Sequence, residues 1–200
     1  MARNEVLCEA VVEVPQGARN KYSYDEKTGF FRLEGVFYSP LHQPADYGFV
    51  RATTAENGSP LTCFIFVSHP TFPGCLVLAR IIGALGVQDE EGEQDPILLT
   101  VAVADPRYER VEELRHLSPY TVREMECFFT ACRQLEGEKI PPLHWLDRDA
   151  ASTILLAAQK RWREKNRRGS RTEPPPRPIP GVPRAAERAT GAQAGSKARR

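Results

Sequence analysis

Cysteine is sparse in this chain and badly placed for a structural role. The five residues Cys8, Cys63, Cys75, Cys127 and Cys132 are an odd number with no C-x-x-C spacing, and three of them sit in apolar runs. That argues against a zinc site or a disulfide framework and predicts reduced, mostly buried thiols. Long apolar runs are missing too. The longest nearly apolar stretch, 97–104, falls far short of the ~20 residues that span a bilayer. The opening residues, MARNEVLCEA, lack the apolar core of a signal peptide. The expectation is a soluble, cytoplasmic protein with no membrane partner. Four histidines (His42, His69, His116, His144) are scattered without metal-ligand spacing and read as surface or turn residues. No internal repeat is present.

What the chain does have is one core's worth of apolar residues and an uneven charge. Two hundred residues at 41% hydrophobic suffice for one sizeable core and do not demand two. The net charge of +1 hides an asymmetry. Residues 166–200 carry nine Lys and Arg against two Glu, a net of +7, so residues 1–165 carry −6. The last segment is rich in Pro, Gly, Ala and Arg and has almost nothing to bury. It is expected to be a disordered Pro/Arg-rich basic tail, extended near residues 174–180 and able to contact anionic surfaces.

The first half reads as β structure. Short runs rich in Val, Ile, Phe and Tyr at 10–14, 21–24, 30–33, 48–50, 61–67, 76–86 and 97–102 alternate with Gly, Pro and Asn turns. So many strands on so short a chain predict a small closed or nearly closed barrel. Helices follow. Ser118 is a fitting N-cap with Pro119 at the first helical position. Val122, Met125, Phe129 and Cys132 then recur at helical spacing, widened by Phe128 and Leu135. A second helix is expected from Asp147 or Asp149 to about Arg163, with Ala151, Ile154, Leu155, Ala158 and Trp162 facing inward.

Several ordered pieces carry a family likeness: VVEVPQGARNKYSYDEKTGFFRL, PADYGFV, NGSPL, TFPGCLVLARIIGAL, DEEGEQD, ADPRY and ECFFTACRQLEGEK. Over roughly residues 6–165 the chain resembles the soluble inorganic pyrophosphatases with an OB-like barrel, in their bacterial form. The resemblance implies an α+β fold: a small OB-like five-stranded β-barrel with flanking strands and two C-terminal helices, in one domain at 1–165. It also implies magnesium as cofactor, diphosphate as substrate and a homo-oligomer, a hexamer in bacterial relatives.

Carried over position by position, the family's site is half present. Glu13 stands at the family's first-strand Glu, Lys21 at a phosphate-binding Lys and Tyr47 at the Tyr of the D-Y-G piece. Asp89 matches the first acid of the acidic loop. Asp95 matches the second, although a longer loop leaves Gln94 as an alternative. Glu13, Asp89 and Asp95 are thus the implied metal ligands. Lys21, Tyr47 and Arg133, the last in place of a Lys, are the implied substrate contacts, and Asp89 and Tyr47 the residual catalytic pair. The other positions are replaced. The family's D-G-D-P-x-D piece becomes Asn57, Ser59 and Thr62 around an unchanged Gly58 and Pro60. A strand Glu becomes Ser23, an Arg becomes Gly35, one Tyr becomes Gln43 and another Cys132, and a Lys becomes Ile97. Nearby Glu56 is a carboxylate shifted by one residue.

Neutral amide and hydroxyl oxygens can coordinate a hard cation, yet they neither offset its charge nor take a proton from bound water. The expected function is therefore a family homologue with diphosphate hydrolysis lost or strongly weakened. Two alternatives stay open: an active phosphohydrolase with a rebuilt metal site, and a protein that binds a phosphorylated ligand or a partner without hydrolysing anything.

Overall fold

A computed structural model describes residues 5–37, 40–87, 96–136 and 143–167, without the side chains of Arg133 and Glu136. Strands β1 (Leu7–Val14), β4 (Asp46–Val50), β5 (Thr62–Phe66), β6 (Leu76–Val87) and β7 (Ile97–Ala102) form one sheet. They hydrogen-bond in the order β1-β4-β5-β7-β6, and β6 pairs again with β1, which closes a five-stranded barrel. Only β5 and β7 run parallel within that ring. Strands β2 (Asn20–Asp25) and β3 (Phe30–Val36) make a separate hairpin, and β8 (Leu143–Leu146) extends the sheet beyond β6.

The sequence pattern explains which faces are covered. In β1, Cys8, Ala10 and Val12 are buried while Leu7 and Glu9 alternate outward. All five residues of β4, all five of β5 and all six of β7 are buried, so both faces of these strands are covered. Closure depends on Gly48. A Cβ there would fall 1.9 Å from the Val11 carbonyl oxygen, where the β1–β4 register shifts between Val12 and Val14.

Helix α1 (Pro119–Glu136) starts as expected, with the Tyr120 amide 3.3 Å from Ser118 Oγ. It buries Met125, Phe128, Phe129 and Cys132 against Tyr47, Phe64 and Leu99. Helix α2 (Arg148–Arg167) is capped by Asp147, whose Oδ1 accepts from the Ala150 amide at 2.8 Å. It buries Ala151, Leu155 and Ala158 against a second cluster that holds Cys8, Cys63 and Ile65.

Two expectations need correction, and one strand went unread. Leu135 is 40% exposed and lies off the buried stripe of α1. The second helix runs to Arg167, past Arg163, because its polar last turns are built from good helix formers. Strand β8 gave no signal of its own: four residues are too few for a readable alternation, and it forms by pairing with β6. The thiols are free, with Cys127 exposed and Cys75 half-buried. Among the described residues no helix is long and apolar enough to cross a membrane. The tail expected at 166–200 lies, from residue 168 on, outside the described residues.

Candidate functional site

The hairpin leans on the barrel at Glu13. This residue stands on the outward row of β1 with Leu7 and Glu9, yet it is only 1% exposed, and its Oε1 accepts from the Tyr24 amide of the hairpin at 2.8 Å. Burial pushes the carboxyl up to about 8; the Tyr24 amide pulls it down, and the charge of Glu34 adds to the rise. Glu34 is a residue that sequence reasoning passed over. Its Oε1 accepts from Ser23 Oγ at 2.7 Å, so the replaced strand position is joined to a second carboxylate beside Glu13.

Lys21 and Gly35 face each other in the hairpin, next to its register shift. Lys21 is 2% exposed, with Nζ 4.2 Å from the centroid of the Phe37 ring. A desolvated cation over an aromatic face is stabilised by the ring quadrupole. Gln43 is 1% exposed and holds the loop before β2 through its backbone, which accepts from Gly17 and donates to Ala18. Its side-chain Oε1 has no partner among the described residues. A buried carbonyl oxygen in that state marks a place for a water or for a donor on a ligand.

Tyr47 is buried in β4 opposite Val14, with its ring 5.1 Å from Phe64 and edge-on to it. Its neighbour Asp46, also passed over, is the better anchored of the two. Fully buried, it accepts from the Gln16 amide at 2.7 Å and from the Thr71 amide and hydroxyl at 3.1 and 2.6 Å. It clamps two loops to β4. An acid inside the otherwise apolar run PADYGFV was the available signal.

The loop from β4 to β5 leads through Asn57 and Ser59 to Thr62, the three positions at which the resemblance implies acids. Asn57 Oδ1 accepts from the Ser59 amide at 2.8 Å, an Asx turn that Gly58 completes with φ +85°. The Ala55 amide donates to the Ser59 carbonyl at 2.7 Å. Thr62 opens β5 at 9% exposure. Helix α2 braces the loop from outside: the Thr54 amide donates to the Ala158 carbonyl at 3.0 Å, and Arg161 Nε donates to the Thr54 carbonyl at 2.8 Å. Glu56 is largely exposed and 3.7 Å from the Arg161 guanidinium. Backbone and amide hydrogen bonds within the loop, and α2 with its Arg161 outside it, therefore shape this loop.

Taken alone, the described residues do not complete the magnesium cage that the resemblance implies. Among the described residues, no three His, Cys, Asp or Glu side chains converge as a metal site. Asn57 spends its side-chain oxygen on the backbone, and Glu13 is buried with its proton held to about pH 8. Ile97 and Cys132 are packed in the α1 cluster at 6% and 7% exposure. Asp89, Gln94 and Asp95 lie outside the described residues, as does the Arg133 side chain. A cavity of about 350 Å³ opens elsewhere, between Arg115, Trp145 and the start of α2, and none of the carried-over positions lines it.

Comparison with known proteins gives a consistent result. A family model described as inorganic pyrophosphatase matches residues 10–163. The inorganic pyrophosphatase of Geobacillus stearothermophilus is 36% identical over 165 residues, which is 82% of this chain and 99% of that protein. That of Halalkalibacterium halodurans is 39% identical over 155 residues, or 78% of this chain and 94% of its own. The crystal structure of inorganic pyrophosphatase from Thermus thermophilus superposes with a TM-score of 0.72 at 31% identity, covering 82% of this chain and 94% of that one.

Proposed function

The chain belongs to the inorganic pyrophosphatase family, and on that footing we propose that it keeps the family's pocket in outline while Mg-dependent hydrolysis of diphosphate is lost or strongly weakened. The observation that carries this reading is the Asn57–Ser59 turn, whose uncharged side-chain oxygen already accepts from the Ser59 amide. Diphosphate hydrolysis needs divalent cations that bridge phosphoryl oxygens and acidify the attacking water. Carboxylates supply the charge that holds such ions, and three of them are gone from this loop. Each missing preorganised group costs ~10²–10³ in rate, without simple multiplication. Phosphate release from diphosphate with Mg, Mn, Co or Zn is the test. Turnover far below the ~1–10³ s⁻¹ of typical enzymes is expected, and a value inside that range sinks the proposal in favour of a rebuilt active site.

Retention of a phosphorylated ligand is the second reading. It is favoured by the buried Lys21 and, separately, by the unpartnered Gln43 Oε1 among the described residues. Calorimetry against diphosphate and nucleotides decides it, and silence at millimolar ligand ends it. We also propose a homo-oligomer, as the family resemblance implies, from a cytoplasmic protein with one folded domain and a disordered basic tail. Half-exposed Leu76 and Leu78 on the outer wall of β6 support the assembly. A single-chain mass by light scattering counts against it.

A further inference from the structure

Gln43 is a primary amide set into apolar surroundings. Its backbone amide donates to the Ala18 carbonyl at 3.0 Å, and its backbone carbonyl accepts from the Gly17 amide at 2.8 Å, so the residue is pinned. Ala18, together with Leu41 and Ala45 on either side of Gln43 in sequence, packs in the same apolar cluster as Phe37 and Tyr47. Lys21 meets that cluster too, with Nζ 4.2 Å from the Phe37 ring centroid. An amide and an ammonium are therefore both sunk at one apolar cluster, at 1% and 2% exposure. Gln43 Oε1 is the atom of this arrangement that the fold leaves without a partner. Bulk water does not reach it. A buried carbonyl oxygen in that state costs free energy that an apolar side chain of similar size would not.

Building on the reading that a phosphorylated ligand is retained, we propose that Gln43 selects phosphorylated ligands that carry an N–H or O–H donor over those that only accept, diphosphate among them. A carbonyl oxygen accepts and never donates, so only a donor satisfies it. The oxygens of ionised diphosphate are acceptors and leave Oε1 as it is. A phosphomonoester with a hydroxyl, amine or amide on its organic part meets both demands. Its phosphoryl oxygens lie in the field of the Lys21 ammonium, and its organic donor completes Gln43 Oε1. Discrimination of this kind is strong, because an analogue without the donor leaves a buried polar atom of the site unpaired. Gln43 belongs to a connecting loop, next to the exposed His42, so a ligand reaches it by parting that loop and not by opening the barrel.

Calorimetry of the full chain against matched phosphate monoesters tests this. 2-Hydroxyethyl and 3-hydroxypropyl phosphate carry a donor; ethyl, propyl and 2-methoxyethyl phosphate do not. All five bear the same charge, so the pull of Lys21 is common to them. At least one hydroxy ester should bind ~10-fold tighter than its donor-free counterpart and than the methoxy ester. Gln43→Leu should bind all five alike. Without ligand it should melt no lower than the parent, since it deletes an unpaired acceptor and keeps the volume. Equal affinity of the parent for hydroxy and donor-free esters overturns the proposal and leaves ligand retention standing. So does a methoxy ester that matches the hydroxy ester, or discrimination that survives in Gln43→Leu. A Leu variant that melts well below the parent also overturns it, because Oε1 would then already have a partner. Silence of every ester at millimolar concentration ends the proposal and ligand retention together.

Discussion

The Tyr24 amide donates to Glu13 Oε1 at 2.8 Å, and that bond ties the β2–β3 hairpin to the barrel wall at a carboxyl with 1% exposure. The carboxyl keeps its proton to about pH 8 in the folded chain, against an ordinary value of 4.5. Between those two pH values the folded state holds more proton than the unfolded one, so stability falls as pH rises across that window. Glu13→Gln keeps an acceptor for Tyr24 and cannot ionise. Near pH 4.5 the variant should match the parent. Above pH 8 it should be more stable by at least about 2 kcal/mol, or roughly 4–8 °C in Tm. Melting curves from pH 4.5 to 9 check this, and parallel curves for the two proteins would show an ordinary carboxyl.

Restoring the loop's acids should restore its response to metal. Asn57→Asp, Ser59→Asp and Thr62→Asp together add three like charges around a turn that now carries the single carboxylate of Glu56. Without metal the triple variant should melt below the parent, because the carboxylates repel one another. With magnesium it should recover, by ~2.7 kcal/mol at a hundredfold excess over Kd. The parent's Tm should stay nearly flat across the same titration. An equal magnesium shift in both proteins would place the ion-binding groups outside this loop.

The barrel was legible because its cues are local. The alternation of Cys8, Ala10 and Val12 and the apolar runs of β5 and β7 announce strands wherever they stand in a chain. Ser118 and Asp147 announce helix starts by chemistry confined to a few residues. The turn at 57–60 was legible too, since Gly58 and its left-handed backbone mark it by local chemistry. What stayed hidden depends on distant partners. Asp46 is a clamp only because Gln16 and Thr71 come to it, from 30 and 25 residues away. Glu34 matters through its effect on Glu13, and that neighbourhood exists only once the hairpin folds onto the wall. Strand β8 is the same case at the level of an element, made by the open side of β6.

Gly48 should tolerate no side chain. The three nearest atoms to an added Cβ are Val11 O at 1.9 Å, Val11 C at 2.9 Å and Val12 Cα at 3.0 Å, all backbone, so no rotamer change relieves the clash. Gly48→Ala should exceed the ~1–3 kcal/mol usual for overpacking and leave little soluble protein. Gly58→Ala is the contrast. Its φ of +85° strains a side chain, but nothing lies within 4 Å, so the cost should stay near ~1–2 kcal/mol. Urea midpoints for the two variants test the ordering, and equal midpoints would mean that the β1–β4 approach yields.

Arg161 and Glu56 separate a bracing hydrogen bond from a surface ion pair at a single guanidinium. Arg161 Nε donates to the Thr54 carbonyl at 2.8 Å, and the residue is half-buried. Its approach to Glu56 is 3.7 Å, with that carboxylate 74% exposed. A charged donor to a backbone carbonyl contributes ~1.5–3 kcal/mol, whereas an exposed pair of that length contributes ~0–1. Arg161→Ala should therefore destabilise measurably and speed amide exchange through the 55–61 loop, because the Thr54 carbonyl would lose its donor from α2 while the Thr54 amide keeps its bond to Ala158. Glu56→Ala should leave both stability and exchange close to the parent's. If the two variants lose the same stability, the ion pair outweighs the hydrogen bond, and the loop's shape depends on charge after all.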